Sequence, residues 1–165
     1  MTPGFRVGFG YDIHPLVKGR RLVLGGVEIP FGLGLDGHSD ADVLVHAIMD
    51  ALLGAAAMGD IGRHFPPGDA EYKDADSLGL LRRVHQMLDE HEWRVGNVDA
   101  TIVAQEPRLA PFIEAMRRCI GEALGLAVDC VSVKATSPEG IGPLGNSEGI
   151  SSHAVAILMP KDWTE

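Results

Sequence analysis

Apolar residues Val43, Leu44, Ala47, Ile48, Ala51 and Leu52 return at helical spacing, which groups Asp42, His46 and Asp50 on another face at i, i+4 and i+8. The pattern predicts a helix over about residues 40–58 with a core stripe and a polar stripe. Ser39 is its expected N-cap, Asp40 and Asp42 suit the positive end of its dipole, and Gly59 is its expected stop. Leu78, Leu81, Val84 and Leu88 predict a second helix from a cap at Asp76 or Ser77 to about His91, and residues 111–124 read as a third. His85 and His91 are expected at the surface. Strands are predicted over residues 6–14, 95–105, 131–136 and 153–159. A hairpin is predicted where residues 21–24 and 27–29 flank the pair Gly25 and Gly26, a pair that suits a tight primed turn. Residues 32–37 read as a flexible approach to the first helix, 59–69 as an irregular loop and 137–149 as turns.

Helices and strands interleave irregularly, which predicts an α/β fold of the α+β sandwich type, a mixed sheet with helices on one face. Its other face then asks for a partner subunit. With 165 residues, 45% hydrophobic and 22% charged, residues 1–165 are expected to form one globular domain. The formal charge of −9 at pH 7 argues against a nucleic-acid or anionic-membrane surface, and a phosphate ligand would need metal ions beside it. No run is long and apolar enough to span a bilayer, and the opening residues MTPGFRVGFG lack a signal or transit pattern, so a cytoplasmic protein is expected. Cys119 and Cys130 read as reduced, packed thiols.

Asp12 and His14 stand two apart in a predicted strand, so both side chains face one way and can share an ion. His46 would complete a three-donor set with one open tetrahedral position, as catalytic zinc sites have; the Asp-x-His pair alone reads equally well as a polar strand end. His38 precedes the helix start, where free N–H groups can hold an anion beside Ser39, although spacing alone favours an ordinary cap. Thr136, Ser137 and Glu139 follow a strand directly, a common place for site residues at the end of a sheet. Gly8-Phe9-Gly10 lies inside a strand and is no dinucleotide fingerprint, and neither a P-loop lysine motif nor HExxH occurs.

Taken together, DIH at 12–14, HSDADVLVHAIMDALLGAAAMGDIG at 38–62, FPPGD at 65–69, GNVDATIVAQEPRL at 96–109 and VKATSPEGIG at 133–142 resemble the family of 2-C-methyl-D-erythritol 2,4-cyclodiphosphate synthases, in order and over nearly the whole chain. The resemblance implies a homotrimer whose mixed sheets pack around a three-fold axis, with active sites between subunits. It implies Zn2+ on Asp12, His14 and His46, Mg2+ or Mn2+ held on the substrate diphosphate by Glu139, and His38 and Ser137 as catalytic, transition-state-stabilising residues. The implied substrate is a cytidine diphosphate ester of methylerythritol whose 2-phosphate attacks the β-phosphate and expels CMP, a step of the non-mevalonate route to isoprenoids. Besides Asp12, Ile13 and His14, the implied methylerythritol phosphate pocket takes His38, Ser39, Asp60, Ile61, Gly62, Phe65, Pro66, Pro67, Gly68 and Asp69. On the cytidine side it implies Ala104, Gln105, Glu106, Pro107, Arg108, Leu109 and Ala110, with Thr136, Ser137, Pro138 and Glu139.

Three positions depart from the commoner pattern of that family. Pro138 replaces the second residue of a threonine pair, which removes a backbone donor and a hydroxyl. Pro143 and Asn146 stand where many relatives carry a phenylalanine and an arginine that help hold an isoprenoid diphosphate on the three-fold axis, which implies weak or absent binding of that ligand. The other readings of the same residues are a zinc-dependent phosphohydrolase and a non-catalytic trimeric metal- or nucleotide-binding module.

Overall fold

A computed structural model describes residues 4–73 and 75–163. Its main sheet has five strands in the order β4-β1-β7-β5-β6, where β1 is Arg6–Val17, β4 Gly34–Leu35, β5 Trp93–Val103, β6 Val131–Thr136 and β7 Gly149–Pro160. The neighbours are antiparallel except β5 and β6, which run parallel, so the sheet is mixed, as expected. Helices α1 (Val43–Ala55), α3 (Ser77–Glu90) and α4 (Ile113–Leu124) bury their apolar residues against one face. The hairpin β2 (Leu22–Leu24) and β3 (Val27–Ile29) closes over them through Gly25 and Gly26, whose φ values of 59° and 74° are those a primed turn requires.

The closest approach in the fold explains the glycines of β1. A Cβ on Gly8 would meet the Ala51 carbonyl oxygen at 1.9 Å, and one on Gly10 would meet that of Ala47 at 1.9 Å. Helix α1 therefore lies directly on the β1 backbone, which only glycine permits. Alternate residues of β1 face the other way, and there Val7, Phe9, Tyr11 and Ile13 are 59, 63, 46 and 47% exposed. His153 of β7 packs its ring against Phe9 and Tyr11 on the same open face.

Several boundaries differ from the expectation. The first helix is capped not by Ser39 but by Asp42, whose carboxylate accepts from the N–H groups of Val45, Gly25 and Gly26 at 3.1, 2.9 and 2.7 Å. One side chain thus caps the helix and clamps the hairpin turn, and it closes the helix's positive end to any other anion. The helix stops at Ala55, with Ala57 rather than Gly59 making the first left-handed turn (φ 59°). The expected polar stripe is not at the surface: Asp42 and His46 are buried beneath the hairpin and α3, and Asp50 is half-buried. Residues 34–35 pair with the end of β1, which runs past His14 to Val17, and β7 starts at Gly149 because Ser151 and Ser152 are buried in the sheet. The loop after α1 contains the short helix α2 (Ile61–His64), capped by Asp60, and the turns at 137–149 contain α5 (Gly142–Gly145). Among the described residues no helix is long and apolar enough to cross a membrane.

Candidate metal centre and substrate clefts

The glycine register brings the metal-type residues together. Four helical residues rise about 6 Å and two strand residues about 6.6 Å, so the step from Gly8 under Ala51 to Gly10 under Ala47 continues to Asp12 under the first turn of α1. His46 projects there. Asp12 Oδ2 lies 2.9 Å from His46 Nδ1 and 3.0 Å from His14 Nε2, and the two ring nitrogens are 3.3 Å apart. A tetrahedral ion with bonds near 2.0–2.1 Å sets its donors about 3.3 Å apart. Asp12, His14 and His46 therefore form a group that could hold a metal ion with little adjustment.

Hydrogen bonding prepares His14 for that task. Its Nδ1 lies 2.7 Å from the Asp36 carbonyl oxygen, which can only accept, so Nδ1 carries the proton and Nε2 turns its lone pair to the group. Burial raises the cost of ionising Asp12, yet the hydrogen bonds and charge of His14 and His46 outweigh it and bring the carboxyl down to about 2. Burial alone would lower His14, but its bonds to Asp12 and the Asp36 carbonyl move it above its ordinary value.

The group opens into a cleft of about 220 Å³ lined also by His38, Ser39, Ile61, Gly62, Phe65 and Pro67, all expected, and by Met49, Tyr72 and Leu80, which were not. Asp50 accepts from the Ile61 N–H at 2.8 Å and so anchors α2 at the rim. The Arg83 guanidinium stacks on Phe65 and Tyr72 at 5.6 Å from each ring and pairs with Glu71, stiffening the aromatic wall. His38 is exposed, its Nε2 3.0 Å from the Asp69 carbonyl. Asp60 and Asp69 cap α2 and the following 3-10 turn (Ala70–Tyr72), and neither they nor Pro66 and Gly68 line the cleft. Ile13 turns its side chain to the opposite, open face.

The remaining residues form a second cleft of about 450 Å³, lined by Ala104, Gln105, Glu106, Pro107, Arg108, Leu109, Ala110, Ala135, Thr136 and Ser137. Gln105 Oε1 accepts from the Gly140 N–H at 3.0 Å and from Ser137 Oγ at 3.4 Å, which ties the loop after β6 to the loop after β5. Glu139 is exposed with φ 55°, its N–H donated to Ser137 Oγ at 2.9 Å; neither Pro138 nor Glu139 lines either cleft. The two clefts have no lining residue in common, and Glu139 is not among the donors grouped with Asp12, His14 and His46. Sequence spacing offered no sign of Tyr72, and it left Asp40 as a charge at the helix dipole and Ser77 as a cap although both touch the surroundings of His46.

Residues 5–159 match the model of the YgbB family. The chain is 60% identical over 157 residues to the 2-C-methyl-D-erythritol 2,4-cyclodiphosphate synthase of Moorella thermoacetica, covering 95% of this chain and 96% of that one. It is 62% identical over 153 residues to the enzyme of the same name from Syntrophomonas wolfei, covering 93% and 98%. Among solved structures, the CDP complex of IspF from Plasmodium falciparum superposes with a TM-score of 0.85 at 32% identity, over 98% of this chain and all of that one.

Proposed function

The chain belongs to the YgbB family, and from that membership we propose that residues 1–165 act as one cytoplasmic 2-C-methyl-D-erythritol 2,4-cyclodiphosphate synthase domain. The substrate is 4-diphosphocytidyl-2-C-methyl-D-erythritol 2-phosphate. An oxygen of its 2-phosphate forms a bond to the β-phosphorus, the bond from that phosphorus to the bridging oxygen breaks, and CMP leaves with the electron pair. The observation that carries this reading is that the three metal-type donors open into the same cleft as His38, Ser39, Ile61, Gly62 and Phe65 of the family-like segments.

The attacking phosphate is already an anion, so no side chain needs to take a proton from it and both imidazoles of the group are free to act as donors. When bound, zinc on Asp12, His14 and His46 and magnesium or manganese on Glu139 supply Lewis-acid polarisation and neutralise phosphate charge. Glu139 would hold the second ion through a single carboxylate, the kind of donor such an ion accepts beside phosphate and water. Ser39 and His38 offer hydrogen-bond donors at the cleft, and Phe65, Tyr72, Met49 and Leu80 give an apolar wall that keeps water from the β-phosphorus. The second cleft receives the cytidine through backbone groups of 104–110, and Ser137 offers its hydroxyl to the phosphates. The open face of β1 packs around a three-fold axis in a homotrimer, and the site forms where the first cleft of one subunit meets the second cleft of its neighbour.

The test is phosphorus NMR of the protein with this substrate and magnesium, with and without a zinc chelator. CMP and a cyclic diphosphate, both lost on chelation, are expected. CMP with a linear bisphosphate would make the protein a phosphohydrolase, and an unchanged spectrum from a metal-loaded trimer would make it a binding module.

A further inference from the structure

The far side of His46 is wired as carefully as the near side. Its Nε2 lies 3.1 Å from Ser77 Oγ and 3.2 Å from Ser39 Oγ. Ser77, the first residue of α3, is wholly buried, and its hydroxyl donates to Asp40 Oδ1 while its backbone N–H donates to Asp40 Oδ2 at 3.0 Å. The Asp42 N–H adds a third bond to that carboxylate at 3.1 Å. A carboxylate only accepts, so the single hydroxyl proton of Ser77 is committed to Asp40. Toward His46 the Ser77 oxygen can then only accept, which requires a proton on Nε2 and makes Nδ1, beside Asp12 Oδ2 and His14 Nε2, the nitrogen that would give its lone pair to an ion.

We propose that Asp40 and Ser77 are positioning residues that set the tautomer and orientation of His46 for the metal. The proposal deepens the metal reading above and rests on it. Asp40 does for His46, through one hydroxyl, what the Asp36 carbonyl does directly for His14. Both outer ring nitrogens are thereby held as donors, and both inner ones point lone pairs at one place. The connection also crosses the fold: Asp40 stands in the loop before α1 and Ser77 at the start of α3, with the Asp40 N–H donated to the Ala75 carbonyl at 3.2 Å. The metal donor on α1 is thus oriented by a neighbouring helix rather than by its own. Ser39 is the weaker candidate for the same service, because its oxygen already accepts from the Ala41 N–H and its proton is committed to nothing rigid.

Zinc dissociation constants measured by competition with a chromophoric chelator on the folded, metal-stripped protein test this, with thermal unfolding of the same metal-free samples as the structural control. Ser77→Ala is expected to weaken zinc binding about 10–100-fold, the usual effect of removing an outer partner of a metal ligand. Ser77→Thr, which keeps the hydroxyl, restores the affinity. Asp40→Asn keeps the size but can donate to the serine oxygen, so it weakens binding as well and serves where Ser77→Ala does not fold. A purely structural role would lower the unfolding temperature of Ser77→Ala and leave its zinc constant within twofold of the parent, and that result overturns the proposal. An equal loss in Ser77→Thr and Ser77→Ala also overturns it, as does a loss confined to Ser39→Ala. Failure of the unsubstituted protein to bind zinc would overturn the metal reading itself, which is a separate outcome.

Discussion

Gly10→Ala is the most searching substitution because it loads the contact that sets the metal centre. The added Cβ would stand 1.9 Å from the Ala47 carbonyl oxygen and 2.7 Å from the Ala51 N, both backbone atoms of α1, so no side-chain rotation relieves it. Ordinary contact begins at 3.4 Å, so helix and strand must part by about 1.5 Å at this point. Overpacking of this kind costs about 1–3 kcal/mol, and a clash of backbone on backbone belongs at the upper end. At about 2–4 °C per kcal/mol for a domain of this size, the unfolding temperature should fall by about 6–12 °C. His46 departs from β1 with the helix, so its 2.9 Å approach to Asp12 opens and zinc affinity falls too. Gly54→Ala is the control on the same helix: its Cβ would find only the Phe9 carbonyl oxygen at 3.9 Å, and it should stabilise by up to about 1 kcal/mol. Differential scanning calorimetry and chelator competition read both. A Gly10→Ala protein that melts within 2 °C of the parent with unchanged zinc affinity would refute the reasoning.

Other substitutions and conditions address separate links. His46→Ala should abolish turnover and zinc binding, and because His46 is buried it should also cost about 1–3 kcal/mol by urea unfolding, more than a surface polar residue would. Zinc must displace protons, so affinity should fall as pH drops through the raised value of His14, while Asp12 stays ionised down to about pH 2; affinity independent of pH between 5 and 8 would contradict this. In the metal-free protein the two shifts act in opposite directions. The His14 contribution to stability is complete below its ordinary 6.5 and is lost as pH rises through the raised value, whereas that of Asp12 is present above 3.8 and is lost as pH falls toward 2. Phe9→Asp, on the open face, should leave the monomer folded and yield a smaller species in sedimentation, with turnover lost alongside. Calorimetry with geranyl or farnesyl diphosphate should detect weak binding or none, since Pro143 and Asn146 supply neither an aromatic wall nor a guanidinium; a tight stoichiometric complex would overturn that expectation.

Periodicity located the three long helices and most strands because each buries one side and repeats at 3.6 or 2.0 residues. It misplaced what depends on contacts between distant segments. Asp42 became the cap because the turn at Gly25 and Gly26 needs a buried acceptor, a demand arising 16 residues away and invisible in any window around the helix. The same hairpin and α3 cover the face that carries Asp42 and His46, so a polar stripe that reads as solvent-facing is interior. Asp12 and His14 were legible from a period of two and His46 was named as their third donor, and the glycines of β1 supply the physical reason the three meet, since they let the helix lie on the strand. Asp40 read as a charge on the helix dipole and Ser77 as a cap because their work is done across elements.

On the proposed reading, the open sheet face and the two clefts constrain one another. Each chain carries the metal group in one cleft and the 104–110 loop in another, without a shared lining residue. If these are halves of one site, the interface must set one patch of a subunit against a different patch of its neighbour. A ring in which the first cleft of each subunit faces the second cleft of the next meets that condition at every seam. The exposed row Val7, Phe9, Tyr11 and Ile13 lies on the opposite face of β1 from Asp12 and His14, where it can meet its counterparts at the centre of that ring while the clefts meet at the seams. Burying the row and completing the site are then one event. An assembly-defective variant should accordingly lose turnover while its monomer still binds zinc through Asp12, His14 and His46, all of which one chain supplies.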